Sequence, residues 1–320
     1  MVVGLLLASL AAVAFGSGTF IQHMTAVALE PPDHHRSRRG LLRLLASLAT
    51  RPRWLVGQAL AGGGTALQFT ALAFAPVAVV EPIVGAGLPV ALVLEAVRMR
   101  RRPRWRLLTG LVLCVAGLVV FLLFSRASSP RRDPGLLSAS LLLALGAGLA
   151  MVSRFAPGGR VGSVLSGLAA GGCLGVAVVA VAVPIARFQA RGLGTALAHW
   201  GPYLAGVVGL LATAATQQAY VRGELAWSLP ALTVADPLVA TTLSVFVLHE
   251  QLDQHAAPIW SAGALAAAVG VALSAMSRPA RTVTTAPTTP SSLTQSATDR
   301  PHAGGRRPDH DRRRNGRRPA

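Results

Sequence analysis

Lysine is absent from this chain: all 30 basic residues are arginine. Charge of either sign is scarce, at 13% charged against 52% hydrophobic residues, with only 12 acids. A water-soluble protein of this length would have to cover its core with far more charge, so a soluble globular class is excluded and a polytopic membrane protein remains. Cysteine is limited to Cys114 and Cys173, both inside apolar runs. That excludes a disulfide framework, and the two read as small buried side chains. Aromatics make up 5%. With the uniform arginine reading as codon usage, nucleic-acid binding is not inferred. There is no Walker motif, no Gly-rich dinucleotide loop after a strand, no nucleophile elbow and no paired-carboxylate constellation, so neither an enzyme nor a cofactor is expected.

What the chain does have is long apolar runs. Roughly 20 apolar residues cross the hydrocarbon core. The first run, Val2 to about Met24, has no basic n-region and is longer than a leader's apolar stretch, so it reads as a span. A connector, Glu30 to Arg53, follows with six Arg, and within it Leu41–Leu48 suits a short interfacial helix. Further spans are expected at about Trp54–Phe74, Val77–Val97, Trp105–Phe124, Gly135–Ser153, Val161–Val183, Trp200–Tyr220, Ala226–Leu248 and Pro258–Met276, nine in all. Trp54, Trp105, Trp200, Trp227 and Trp260 open spans, as headgroup anchors do, and Tyr220 and Arg222 read as interface anchors. The predicted fold class is therefore all-α, a polytopic membrane helix bundle of about nine transmembrane helices.

Positive loops stay in the cytoplasm. With the N-terminus outside, the cytoplasmic side collects six Arg at 36–53, six at 98–106, Arg154, Arg160, Arg222 and ten in the tail, or 25; the outer side has Arg126, Arg131, Arg132, Arg187 and Arg191, or five. The expectation is a plasma-membrane protein with its N-terminus out and C-terminus in. Residues 281–320 are Thr, Pro, Ser, Gly and Arg without apolar periodicity, which reads as a disordered basic cytoplasmic tail whose arginines reinforce topology. The organisation is a first half, 1–124, of four spans with its Arg-rich loop at 30–53; a second half, 135–277, of five; and the tail.

Two spans carry acid-proline pairs: Glu81-Pro82 within Pro76–Glu95, and Asp236-Pro237 within Leu229–Glu250, the latter preceded by Pro230. A carboxylate in hydrocarbon costs roughly 3 kcal/mol, and proline frees a carbonyl, so both features call for a reason. The halves also echo each other. Leu55-Val56-Gly57 and Gln68 match Leu204-Ala205-Gly206 and Gln217 at an offset of 149, Pro82 matches Pro230 at 148, and Gly110 with Gly117 match Gly263 with Gly270 at 153. A second register pairs Glu81, Pro82 and Glu95 with Asp236, Pro237 and Glu250 at an offset of 155 but needs more gaps. The matched blocks start on opposite sides of the membrane, giving an inverted repeat, the layout on which many carriers build alternating access.

ALQFTALAFAPVAVVEPIVGAGLPV, its echo AYVRGELAWSLPALTVADPLVATTLSVFVLHEQL, and the Gly-rich helices LLTGLVLCVAGLVV and SAGALAAAVGVAL together resemble the drug/metabolite transporter superfamily of EamA-like proteins, over roughly Val2–Met276. Typical members have ten spans in two five-helix inverted repeats; here the place of the second span is taken by the connector Glu30–Arg53. The nine-span layout, together with FGSGTFIQHM at Phe15–Met24, resembles the NIPA branch, associated with magnesium transport.

The resemblance implies a transporter, for which Asp236, Glu81, Gln68, Gln217 and His23 are the substrate and proton-coupling candidates, and Pro82, Pro230 and Pro237 the helix-break candidates. Asp236 ranks first, about ten residues into its span. Gln68 and Gln217 also suit interhelical hydrogen bonds, and His23 an interfacial position. Gly167, Gly171 and Gly175, like Gly62-Gly63-Gly64, read as packing faces, and His249, Glu250, Asp253 and His255 as an exposed polar turn. Three function classes stand: a proton-coupled secondary carrier for a small organic metabolite or drug; a Mg²⁺-type cation transporter, in which carboxylates hold a largely hydrated ion; and a non-transporting scaffold. The partners are a small-molecule or ion substrate and the lipid bilayer, with homodimerisation open. The arginine distribution predicts that a reporter fused after Arg281 is cytoplasmic and that a cysteine placed at the N-terminus is labelled from outside; a cytoplasmic N-terminus would require another crossing within 30–53.

Overall fold

A computed structural model of the chain describes residues 2–29, 45–75, 80, 83–100, 105–125, 135–250 and 252–276. It is all-α among those residues. The helices are α1 (Val2–Leu29), α2 (Pro52–Phe74), α3 (Gly87–Arg98), α4 (Trp105–Phe124), α5 (Leu136–Phe155), α6 (Gly159–Arg191), α7 (Leu193–Leu197), α8 (Gly201–Arg222), α9 (Leu225–Val247) and α10 (Ala257–Met276). Seven are long and apolar enough to cross a membrane: α1, α4, α5, α8, α9, α10 and the first 27 residues of α6. This is a multi-pass membrane bundle. The 23-residue α2 is long enough but carries Arg53, Gln58, Thr65 and Gln68. The continuous span expected at Val77–Val97 is not found in the described residues. There α3 has only 12 residues and starts after a turn at Ala86.

Local sequence sets the helix ends. Pro52 opens α2, where its missing N–H costs nothing. Gly192, at φ 84°, closes α6 by giving its N–H to Phe188 O in the left-handed conformation that glycine adopts freely. The sequence boundary at Val183 falls short, because α6 continues through Pro184 to Arg191. Proline removes the bond to the carbonyl of Ala180, and that carbonyl lies against Gly201 at the start of α8, where any Cβ would collide with it.

Small residues then fix how the helices pack. α1 and α2 run antiparallel, with Gly18 on Gly57 and Gly4 on Ala75, while α3 lies parallel to α1, with Gly87 on Ala12 and Gly16. The second half repeats this. α6 and α8 are antiparallel, with Ser163 Oγ donating to Ala219 O at 3.0 Å. α9 runs parallel to α6, with Gly167, Gly171 and Gly175 against the carbonyls of Ser228, Leu232 and Asp236. By packing, then, α1 corresponds to α6, α2 to α8 and α3 to α9. The helix without a counterpart is α5, which packs on α6 and α8. By this packing α1 takes the place of the second helix of the second half, the place that the sequence reading gave to the connector at 30–53. Sequence order could not reveal this, because it counts spans without knowing their neighbours.

The last helices of the halves, α4 and α10, cross antiparallel. Gly110 meets Gly270 and Ser274, and Gly117 meets Gly263 and Ala267. Gly110 and Gly263 are repeat equivalents, as are Gly117 and Gly270. Each glycine thus packs against the equivalent of the other, which is the contact a twofold axis between the halves demands. The crossing supports the offset of 153 in these helices and the inverted arrangement.

Three earlier readings change. Gly62 and Gly63 have nothing within 4 Å of an added Cβ and are no packing face; of that triplet only Gly64 is covered, by Phe15. Trp54 is 8% exposed and packs into the core with Leu88, Leu92 and Leu225. Tyr220, at 3% exposed, belongs to the same core and is no interface anchor. As expected, Cys114 and Cys173 are buried and free. Residues 277–320, including the tail, lie outside the described residues, as do 30–44.

The crossing gives a paired test. A Cβ at Gly117 would lie 2.6 Å from Gly263 O, so Gly117→Val should separate α4 from α10 and cost about 1–3 kcal/mol, read as a lower melting temperature in detergent. Gly62→Ala, in open space, should match or slightly exceed the parent.

Candidate functional site: a buried polar seam between the halves

The described polar side chains of the bundle interior concentrate at the end where α1, α3 and α8 finish and α9 begins. The cause lies in the sequence. Gln22 and His23 end the apolar run of α1, Glu95 stands in the last turn of α3, and Gln217 and Tyr220 stand in the last turns of α8. Antiparallel packing of α3 on α9 brings Glu95 to the first N–H groups of α9, which lack helical partners.

Glu95 Oε1 accepts from the Leu225 N–H at 3.4 Å and lies 3.2 Å from His23 Nε2. A helix N-terminus favours a carboxylate there. The imidazole of His23 meets the ring of Tyr220 edge-on, centroids 5.5 Å apart, and Tyr220 hydrogen-bonds with Thr19. Beside them Gln217 Nε2 donates to Gln22 Oε1 at 3.3 Å. These contacts tie α1 and α3 of the first half to α8 and α9 of the second. Glu95, 8% exposed, is the buried carboxylate among the described residues, and His23 and Gln217 are 2% and 0% exposed. Two atoms of the seam, His23 Nδ1 and Gln217 Oε1, are buried without a hydrogen-bond partner among the described residues, as is Trp54 Nε1 of the adjoining core. A lone unsatisfied polar atom in such surroundings costs on the order of 1–3 kcal/mol.

A second polar group lies at the same end. Arg222 Nη1 donates to Ser166 Oγ at 2.7 Å and Nη2 to Arg154 O at 3.4 Å, and the Arg160 guanidinium covers the Trp227 ring at 5.2 Å. Arg222 therefore braces α5, α6 and α8 together and is more than an interface anchor.

Of the candidates read from the sequence, His23 and Gln217 come together here. Gln68 does not join them: Gly57 lies against Gln22, and Gln68 stands a further 11 residues along α2, about 16 Å away at the helical rise. Inverted repeats place equivalent residues at opposite ends. Asp236 is likewise about 16 Å along α9 from Leu225 and occupies the middle of that helix, part-buried, with its carbonyl on Gly175. Pro230 and Pro237, expected to break α9, do not; the helix is continuous from Leu225 to Val247. Each proline removes one N–H, leaving the carbonyls of Ala226 and Thr233 without their helical donors. Glu81 and Pro82 lie outside the described residues. His255 and Asp253 pair at 3.6 Å with exposed side chains, and no group of metal-ligating residues forms among the described residues.

The sequence reading missed Gln22 and Glu95. Glu95 stands three residues before the arginine cluster at 98–106 and entered the sequence reading only as the counterpart of Glu250 in the second repeat register. The signal available was its spacing to Leu88, Ala91 and Leu92 on one face of α3, all buried.

Residues 1–134 match the family model described as "Magnesium transporter NIPA". A curated protein of Corynebacterium glutamicum, described as an uncharacterized protein, is 28% identical over 243 residues, 74% of this chain and 81% of its own length. No solved structure matches. The likeness read from Phe15–Met24 recurs in this comparison: residues 1–134 of the chain, less than half of it, are similar to the NIPA magnesium-transporter family.

Proposed function

We propose that the chain is a secondary transporter that works by alternating access between its two inverted halves, with a Mg²⁺-type cation as cargo. The observation that supports this most directly is the polar seam at Glu95, His23, Gln22 and Gln217. It joins the halves at one end, whereas the crossing of α4 and α10, which also joins them, is made through glycines. Helices packed through glycine faces can slide or rock with little side-chain rearrangement, as exchange of a site between two faces requires. The family match of residues 1–134 supports the cation.

Within this reading Asp236 is the cargo-facing carboxylate. It stands at mid-helix one turn from the Thr233 carbonyl, which Pro237 leaves without its helical donor, and a carboxylate with a carbonyl oxygen suits a cation that keeps most of its water. Glu81 and Gln68 are secondary candidates on the first half. The membrane is the plasma membrane, with the N-terminus outside and the polar seam on the cytoplasmic side, as the arginine distribution requires.

One observation favours a second reading, a small organic metabolite or drug moved by proton coupling. Among the described residues the interior holds a single buried carboxylate, fewer than a dehydrated divalent ion would demand, and its lining is chiefly apolar. Purified full-length protein in proteoliposomes decides between the two, with an enclosed Mg²⁺ dye and a metabolite counterflow panel. The expected result is Mg²⁺ entry that Asp236→Asn lowers by roughly tenfold or more, equivalent to about 1.4 kcal/mol, without loss of folded protein. Solute counterflow without Mg²⁺ entry would establish the organic reading. Wild-type rates in Asp236→Asn under every gradient would remove Asp236 from the mechanism, and no transport of either cargo would leave the scaffold class.

A further inference from the structure

Glu95 connects the halves through one oxygen. Oε1 holds the Leu225 N–H of the second half and faces His23 Nε2 of the first. A neutral imidazole that gives its Nε2–H to Glu95 must present a bare lone pair at Nδ1. In this structure Nδ1 is buried and without a hydrogen-bond partner, and Gln217 Oε1 is a second buried acceptor without one. His23 Nδ1 is thus an orphan acceptor on a ring that faces a carboxylate in an apolar core, and the orphan donor of that core, Trp54 Nε1, makes no bond to it. The smallest group that satisfies it is a proton on Nδ1, which turns the orphan acceptor into a donor and the pair into imidazolium and carboxylate.

The surrounding groups leave that proton to the pair. From α8, Tyr220 presents a ring edge to the imidazole and hydrogen-bonds with Thr19, while Arg222 is turned to Ser166 and Arg154 O. Glu224, just ahead of Leu225, has polar interactions of its own. α2 contributes Trp54, α4 Leu111 and the helical segment at 45–49 Leu48, none of them ionisable at neutral pH. In the other half, α6 corresponds to α1 and has no His, Asp or Glu along its whole length, so this arrangement exists at one end of the bundle.

We propose that His23 and Glu95 bind the proton that this carrier exchanges for its cargo, and that the protonated pair latches the two halves at the α9 N-terminus. The inference rests on the transporter reading and adds to it the coupling ion and its site. Water at this end supplies the proton to Nδ1 and later takes it back from the same atom. No other covalent bond changes, and Glu95 stays a carboxylate throughout. With the proton bound, a charge-assisted contact holds Glu95 between His23 and the Leu225 N–H. When it leaves, the carboxylate loses its counter-charge in a low-dielectric setting, the seam loosens and water enters. Histidine is the side chain whose charge ordinarily changes between about pH 5 and 8.

The test follows hydrogen–deuterium exchange at 225–228 in full-length protein in lipid nanodiscs, corrected for intrinsic exchange, at about pH 5.5 and 8. Uptake of Mg²⁺ and counterflow of the metabolite panel are followed in proteoliposomes in parallel. The wild type should exchange on the order of tenfold faster at the higher pH as the latch opens. His23→Gln, which keeps a donor toward Glu95 but cannot titrate, should abolish the pH step and the response of transport to a pH gradient. Glu95→Gln should do the same, and if that variant does not fold, His23→Gln decides alone. An unchanged pH step in His23→Gln, or no step in the wild type, overturns the proposal. A step that vanishes in the variants while the wild type transports neither cargo would sustain the proton site and sink the transporter reading.

Discussion

Helices in hydrocarbon gain nothing from hiding apolar surface against each other, so this bundle depends on backbones approaching closely enough for packing and polar contact to hold them. Glycine provides that approach at each principal interface: Gly18 with Gly57, Gly16 with Gly87, Gly167 to Gly175 along α9, and Gly110 with Gly117 against Gly263 with Gly270. A side chain at most of these positions would press on a neighbouring backbone. The exceptions help define the rule, since Gly62 and Gly63 border open space and constrain nothing.

The same constraint accounts for the polar seam. A membrane interior offers no water to satisfy a carboxylate, so Glu95 occurs where the unpaired N–H groups of a helix start and a histidine are both at hand. Inversion creates that meeting, because the end of α3 comes beside the beginning of α9 only when the two run in opposite directions. α9 is thereby engaged at three levels: its N-terminus on Glu95, its glycine-facing side on α6, and its midpoint at Asp236 between two prolines. An element joined to both halves in this way is suited to pass a change at one end of the bundle to the middle.

The symmetry is incomplete. α5 has no partner in the first half, and its place beside α6 and α8 is braced by Arg222 through Ser166 and the Arg154 carbonyl. Among the described residues the second half therefore carries a layer without a counterpart in the first, and on α1 Val2, Val3, Leu6, Leu10 and Val13 are exposed. In a membrane protein such a face suits lipid.

The sequence by itself determined the class, most of the spans, the buried cysteines, the glycine faces of α4, α6 and α10, and the family likeness. These follow from composition and from periodicities that a single helix expresses alone. It also pointed to His23 and Gln217, since a polar residue inside an apolar run stands out in one dimension. Other features were decided only by tertiary structure. The partners of His23 and Gln217, the entry of Glu95 into the core, the burial of Trp54 and Tyr220, and the matching of α1 to α6 all depend on which helix lies beside which. A helix-end glutamate at an arginine-rich loop and a helix-end glutamate at another helix's N-terminus are the same letters in the sequence. What separates them is a contact across 130 residues of chain, formed when two inverted halves close on each other.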